Sequence, residues 1–292
     1  MAGLTRSRRA PGTSSRKARF TWAALLGLAS LCSPVAARAE EPPRLRALSY
    51  DLRIDLPVMV AAAGGFIALD RAAGSLAGTC RWCESNGLDD AFRSAFRRND
   101  PKPARVTSDV FAIAAPFVAV GLGAIVAADE GRVSDTGVNA LVVGEATSVA
   151  MLLNSIAKVS FARERPFVHA LPEDQKASTP SPGDNNVSFF SGHATWTFAL
   201  ATSAGTVASM RGYRLAPVVW SVGLMLATST SYLRMAGDKH YFTDVLGGAL
   251  VGSAVGVALP LIFHRPVSKH VTVSAYPISG GQMFTLTMPS PI

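Results

Sequence analysis

Five apolar runs, each close to the length that crosses a bilayer, constrain this chain more than any other feature. They occupy residues 110–128, 138–157, 194–210, 215–231 and 245–263. A helix needs about twenty apolar residues to span the hydrocarbon, and the first and last runs meet that measure. The middle runs are rich in Ala, Gly, Ser and Thr, small residues that favour close helix–helix contact inside a membrane bundle. Glu145 and Asn154 interrupt the second run. A briefer apolar stretch at 57–69, bounded by Asp55 and Asp70, predicts a short or tilted span or a helix at the interface. Only 16% of the residues are charged and 49% are hydrophobic, whereas soluble domains carry about a quarter charged residues. The expected fold is all-α, a membrane-embedded bundle of about five or six helices. Its competitor is a soluble helical domain with very apolar core helices. After residue 263 the pattern changes. Residues 271–274 and 284–287 alternate around Ser279-Gly280-Gly281, which predicts a small hairpin in a β-like tail covering 264–292.

The formal net charge is +8, but its placement removes nucleic acid as a partner. Seven of the 28 Lys and Arg lie in residues 1–39, where no Asp or Glu occurs. The rest of the chain is close to neutral and offers no basic face. The same segment has a basic stretch ending at Arg19, an apolar run at 20–32 and Ala37-Arg38-Ala39 ahead of Glu40. Those are the three parts of a secretory signal, so residues 1–39 are expected to direct export, with an uncleaved anchor as the alternative. Beyond it lie Cys80 and Cys83, in Cys80-Arg81-Trp82-Cys83. A CxxC pair can be redox-active, half of a zinc site or a local disulfide. It has no second CxxC and no nearby His, and export favours the disulfide. Residues 40–107 then form an N-terminal helix and polar connector ahead of a core at 108–263.

Polar residues gather at the ends of the apolar runs, where charge is affordable and can work in water. The first cluster runs from Lys158 to Arg165-Pro166. Pro166 biases Arg165 away from helical geometry, and a point charge beside a planar guanidinium suits a tetrahedral oxyanion. The second is Ser191-Gly192-His193, just before the third run. A serine there can cap a helix whose first-turn N–H groups attract an anion, and His193 could donate a proton. The third holds Arg234, His240 and Asp244. Four residues apart, His240 and Asp244 are expected to meet on one helical turn. The carboxylate would fix one ring nitrogen and leave the other nucleophilic. Each cluster alone also fits a blander reading: membrane-flanking charge, an ordinary cap or a surface ion pair.

Together, Lys-x6-Arg-Pro, Ser-Gly-His and Arg-x5-His-x3-Asp resemble the type 2 phosphatidic acid phosphatase (PAP2) family. Its superfamily includes bacterial non-specific acid phosphatases and vanadium haloperoxidases. The resemblance implies a PAP2-type helical bundle and metal-independent hydrolysis of a phosphomonoester or diphosphate through a phosphohistidine, with no cofactor. By matching position, His240 is the expected nucleophile, Asp244 its orienting partner and His193 the general acid. Lys158, Arg165, Ser191, Gly192 and Arg234 would hold the phosphoryl oxygens. Phe190 stands where the family usually has Pro, and Leu233 where it usually has Ser, which bears on substrate preference. The expected partners are a phosphorylated lipid and the bilayer. Alternatives are a soluble periplasmic acid phosphatase, a haloperoxidase, whose chains are usually much longer, and a non-enzymatic membrane protein. The intact set of candidate residues argues against the last.

The signals for sidedness conflict. Seven Lys and Arg in 71–107 against Arg132 alone in 129–137 would put 71–107 in the cytoplasm. A cleaved signal and a disulfide would put it outside, with 57–69 not crossing. The second arrangement is expected, with the three clusters on the periplasmic side of a bacterial inner membrane.

Overall fold

The computed structural model describes residues 45–267, 272–278 and 281–287. The expected leader at 1–39 lies outside the described residues, as do Val271, Ser279 and Gly280 of the expected hairpin. The elements are α1 (Leu52–Ala77), α2 (Gly87–Phe96), α3 (Lys102–Asp129), α4 (Thr136–Phe161), α5 (Pro166–His169), α6 (Glu173–Lys176), α7 (Gly192–Arg211), α8 (Ala216–Ala236) and α9 (Phe242–Phe263). The strands β1 (Thr272–Ile278) and β2 (Gly281–Thr287) follow. They pair antiparallel from Thr272 with Thr287 to Ile278 with Gly281, the expected hairpin.

Helix α1 corrects the expected short element at 57–69: it has 26 residues. Asp51 caps it by accepting from the Arg53 N–H, and it continues through Asp70, whose carboxylate accepts from Lys158 of α4 at 3.2 Å. The apolar run marked only the middle of the helix. Among the described residues, α1, α3, α4 with the turn before it, and α9 are long and apolar enough to cross a membrane. Large apolar side chains face outward along α3, with Phe117 74% exposed, as a lipid-facing helix requires. The apolar runs at 194–210 and 215–231 do form helices, α7 and α8, but these fall short of that apolar standard. Most of α7 is buried among its neighbours, so Ser and Thr along it need not meet lipid.

Glycines set the α7–α9 contact. Gly248, Gly252 and Gly256 recur every fourth residue on one face of α9. A Cβ at Gly252 would lie 2.5 Å from the Thr195 carbonyl oxygen, and one at Gly248 2.6 Å from that of Ser191. This is close backbone approach of the kind small residues permit in membranes.

The connections sort to opposite ends. At one end Arg81 N–H donates to the Ala162 carbonyl at 3.1 Å and Arg98 N–H to that of Ala236 at 3.1 Å. This gathers segments 78–101, 162–191 and 237–241. At the other end Arg46 N–H donates to the Arg211 carbonyl at 3.0 Å and Arg214 N–H to Glu130 Oε1 at 2.8 Å. Helix α1 reaches both ends, since Ser49 just before it accepts from His264 Nδ1 at 3.1 Å. Cys80 and Cys83 form a disulfide, Cα atoms 5.6 Å apart, at the end that holds the three clusters.

Candidate active site

The local sequence explains why the clusters converge. Helix α4 stops where Ala162 takes left-handed backbone, φ 41°. Arg165 stays extended ahead of Pro166, which begins α5. Ser191 caps α7, its Oγ accepting from Ala194 N–H at 3.4 Å, while its own N–H donates to the Asp244 carbonyl at 2.9 Å. The starts of α7 and α9 are thereby tied together. Asn154 Nδ2 donates to the Phe190 carbonyl at 2.8 Å and fixes the backbone leading into Ser191. A Cβ on Gly192 would sit 3.4 Å from Lys158 Nζ, so the glycine keeps open the space beside that cation.

His240 is buried in the turn ahead of α9. Its Nδ1 donates to the Ser188 carbonyl at 2.9 Å, and Arg165 Nη1 donates to its Nε2 at 3.0 Å. Assigned from those partners, the neutral tautomer carries its lone pair on Nε2. Burial pushes His240 well below the usual histidine value of 6.5, and the charges of Arg165, Arg234, His193 and Lys158 press the same way. Four sequence-predicted groups thus converge on one imidazole.

The expected His240–Asp244 hydrogen bond is absent. Asp244 Oδ2 lies 3.6 Å from His240 Nδ1, because His240 precedes the cap residue Tyr241 while Asp244 sits in the first turn of α9. The carboxylate is instead filled by Arg163 Nη1 at 2.6 Å, Ser188 Oγ at 2.6 Å and Tyr241 N–H at 2.9 Å. Asp244 orders Ser188, and the Ser188 carbonyl orders His240. Arg163, which the sequence reading passed over, also donates to Asp89 at 2.6 Å and lies between the rings of Trp82 and Tyr241. A second arginine in Ala162-Arg163-Glu164-Arg165 was the available signal, since a guanidinium at the edge of an apolar bundle needs a partner.

Arg165 is clamped as firmly, with Nε on the Asp184 carbonyl at 2.8 Å and Nη1 on that of Lys239 at 2.9 Å. Its Nη2 meets Asp184 Oδ1 at 2.5 Å. Burial pushes the Asp184 carboxyl up, but the charges of Arg165 and Lys239 outweigh it and hold it below its usual value. Two further carboxylates line the outer side. Asp109 Oδ1 lies 2.8 Å from His193 Nε2 and accepts from Arg234 Nη1 at 3.0 Å; Asp70 takes Lys158. Arg234 Nε is buried without a partner among the described residues. Beside His193 and Lys158 opens a cavity of about 540 Å³ whose walls include Phe66, Ile113, Pro116, Met151 and Trp196.

No His–carboxylate cluster of metal-ligand type was expected, yet one forms away from the pocket. Ligand atoms of Asp55, Glu145 and His264 all lie within 4.8 Å of one another. Thirteen residues separate Glu145 from Lys158 on α4, about 20 Å of helix. His264 Nε2 there meets Glu145 Oε2 at 3.0 Å, a hydrogen bond joining the end of α9 to the interior of α4.

Fold and site together define a membrane-embedded helical bundle with a cationic pocket at one end and a buried imidazole in it. Residues 139–267 match the family model of the PAP2 superfamily. That match supports phosphatase activity in general terms. A solved structure described as the first transmembrane PAP2-type phosphatidylglycerolphosphate phosphatase, from Bacillus subtilis, is similar at 20% identity and a TM-score of 0.42. The likeness covers 68% of this chain and 94% of the other. No curated protein matches the chain.

Proposed function

We propose that the protein is a metal-independent phosphatase that removes a phosphate from a lipid phosphate or diphosphate through a phosphohistidine on His240. The observation that carries the lipid reading is the apolar cavity opening beside His193 and Lys158, between α1 and α3, the two most lipid-exposed helices. A substrate with its phosphate among Lys158, Arg165 and Arg234 has its chain beside that groove. His240 Nε2 attacks phosphorus, the ester P–O bond breaks, and His193 gives its proton to the departing oxygen. Water, deprotonated by His193, then attacks the phosphohistidine, releasing phosphate and regenerating His240. The guanidinium and ammonium groups supply the positive charge the transition state needs, in a dry setting. Ser191 caps α7, and Gly192 contributes a first-turn N–H group.

Phosphate release from a panel of phosphatidate, phosphatidylglycerophosphate, polyprenyl diphosphate and lipid A, in detergent, tests this reading. Hydrolysis is expected to survive EDTA and to be blocked by vanadate. Loss in EDTA with rescue by magnesium counts against the site. His240→Ala is expected to be inactive on every substrate and to yield no acid-labile phosphoenzyme.

We infer that the active end faces the periplasm from a bacterial inner membrane; the Cys80–Cys83 disulfide at that end supports this reading. Because α1 runs from one end of the bundle to the other, this placement puts residues 45–51 on the cytoplasmic side, which conflicts with the expected export through a cleaved leader and with 57–69 not crossing. Alkaline phosphatase fused after residue 180 is expected to be active. An inactive fusion there with an active one after Arg132 reverses the topology.

A further inference from the structure

Two carboxylates that no sequence motif contains sit where substrate oxygens would compete with them. Asp109 of α3 shares one oxygen between His193 and Arg234, and Asp70 of α1 holds Lys158. The contact of Asp109 with His193 is built into the helix packing. One turn along both helices, Trp196 Nε1 donates to the Ala112 carbonyl at 2.9 Å, which fixes the register of α7 against α3. Ser108, the neighbour of Asp109, accepts from the same Arg234 Nη1 at 3.1 Å. His193 therefore has Nε2 committed to a carboxylate, which leaves Nδ1 as the nitrogen to face a leaving oxygen.

We infer that Asp109 is the positioning residue of His193, and that Asp109 and Asp70 are stand-in anions which surrender Arg234 and Lys158 when a phosphate enters. The inference rests on the phosphatase reading above. The two carboxylates are about half exposed, Asp70 at 47% and Asp109 at 56%, so each can turn to water once its cation is taken. Their roles differ. Asp70 only competes for a cation, whereas Asp109 also supplies the negative charge and the hydrogen bond that aim His193. Removing Asp70 therefore helps binding and leaves proton donation alone. Removing Asp109 helps binding and harms proton donation.

The test compares Asp70→Asn and Asp109→Asn in the full-length detergent-solubilised protein. Vanadate binding is measured by calorimetry, without turnover, and kcat on an alkyl lipid phosphate and on nitrophenyl phosphate. Both variants tighten vanadate, by up to about fivefold, the range of a half-exposed ion pair. Asp109→Asn lowers kcat on the alkyl ester by about tenfold or more, and much less on the aryl ester, whose oxygen leaves without help. Asp70→Asn shows no such split. In a His193→Ala background, Asp109→Asn has no further effect on the split, which separates positioning from a general loss of structure. Equal losses on both esters, or unchanged kinetics and vanadate affinity in Asp109→Asn, overturn the inference. A wild-type protein that binds vanadate but hydrolyses neither ester overturns the phosphatase reading instead.

Discussion

The floor of the pocket and its rim are built on different principles. On the floor, Arg163, Asp89, Asp244 and Ser188 are fully enclosed and bind one another through contacts of 2.6 Å. Every charge there has a fixed protein partner. On the rim, Lys158, His193 and Arg234 meet Asp70 and Asp109, half-exposed carboxylates that water can take over. A buried pair is costly to break because the surviving charge has nowhere to go. An exposed pair exchanges partners cheaply. The floor therefore acts as framework for His240, and the rim is the part that can trade its anions for a phosphate.

Breaking the floor gives the largest effect. Arg163→Met leaves Asp89 and Asp244 buried without their cation, and it should cost about 3–5 kcal/mol of stability. Thermal unfolding in detergent, with and without vanadate, measures it. A variant as stable as the wild type would mean that the floor is no more fixed than the rim.

Most of the fold was legible because bilayer thickness sets run length and runs of apolar residues betray it. What escaped has physical reasons. The ends of α1 carry Asp55, Asp70 and Arg71, which interrupt an apolar pattern without interrupting a helix, so its length was underestimated. Lys158, Arg165, Ser191, Gly192, His193, Arg234 and His240 stood out as candidates because polar residues gather at the ends of the apolar runs, and their expected roles came only with the family resemblance. The partner of His240 could not. A four-residue spacing suggests direct contact only if both residues share a helix, and here the helix starts between them at Phe242. Asp89 and Asp109 come from segments more than seventy residues away from their partners, and no local pattern announces such pairings.

A middle-sized effect sharpens the comparison at the rim. His193→Ala should cost about a hundredfold or more on a lipid phosphate, whose alkoxide leaves badly unprotonated. On nitrophenyl phosphate the loss should be much smaller. Acid-labile phosphoenzyme should be trappable in this variant from the aryl ester. Equal losses on both esters would remove His193 from the proton-donor role and blur the distinction between floor and rim.

The smallest effect concerns pH, and its sign follows from how His240 is held. Burial comes first among the causes that lower its pKa below 6.5, with Arg165 next and Lys158 last among the charges. Only the neutral imidazole attacks phosphorus, so kcat/KM on an aryl phosphate should stay level as pH falls to 6.5 and decline only below it. Folding follows the same direction. Below 6.5 the unfolded chain takes up a proton at this histidine that the folded protein refuses, so stability falls with acidification until the folded pKa is passed. Removing a neighbouring positive charge makes protonation easier and moves the acid limb upward. Arg165→Gln, next to the imidazole on the floor, should move it further than Lys158→Met on the rim, each by less than about one pH unit. Because burial remains in both variants, neither limb should rise above 6.5. The residual rates suffice, since only the position of the limb is read and not its height. A wild-type limb at or above 6.5 would mean that His240 is not the buried neutral group that attacks. A larger shift in Lys158→Met than in Arg165→Gln would mean that the rim, and not the floor, sets the charge state of the nucleophile.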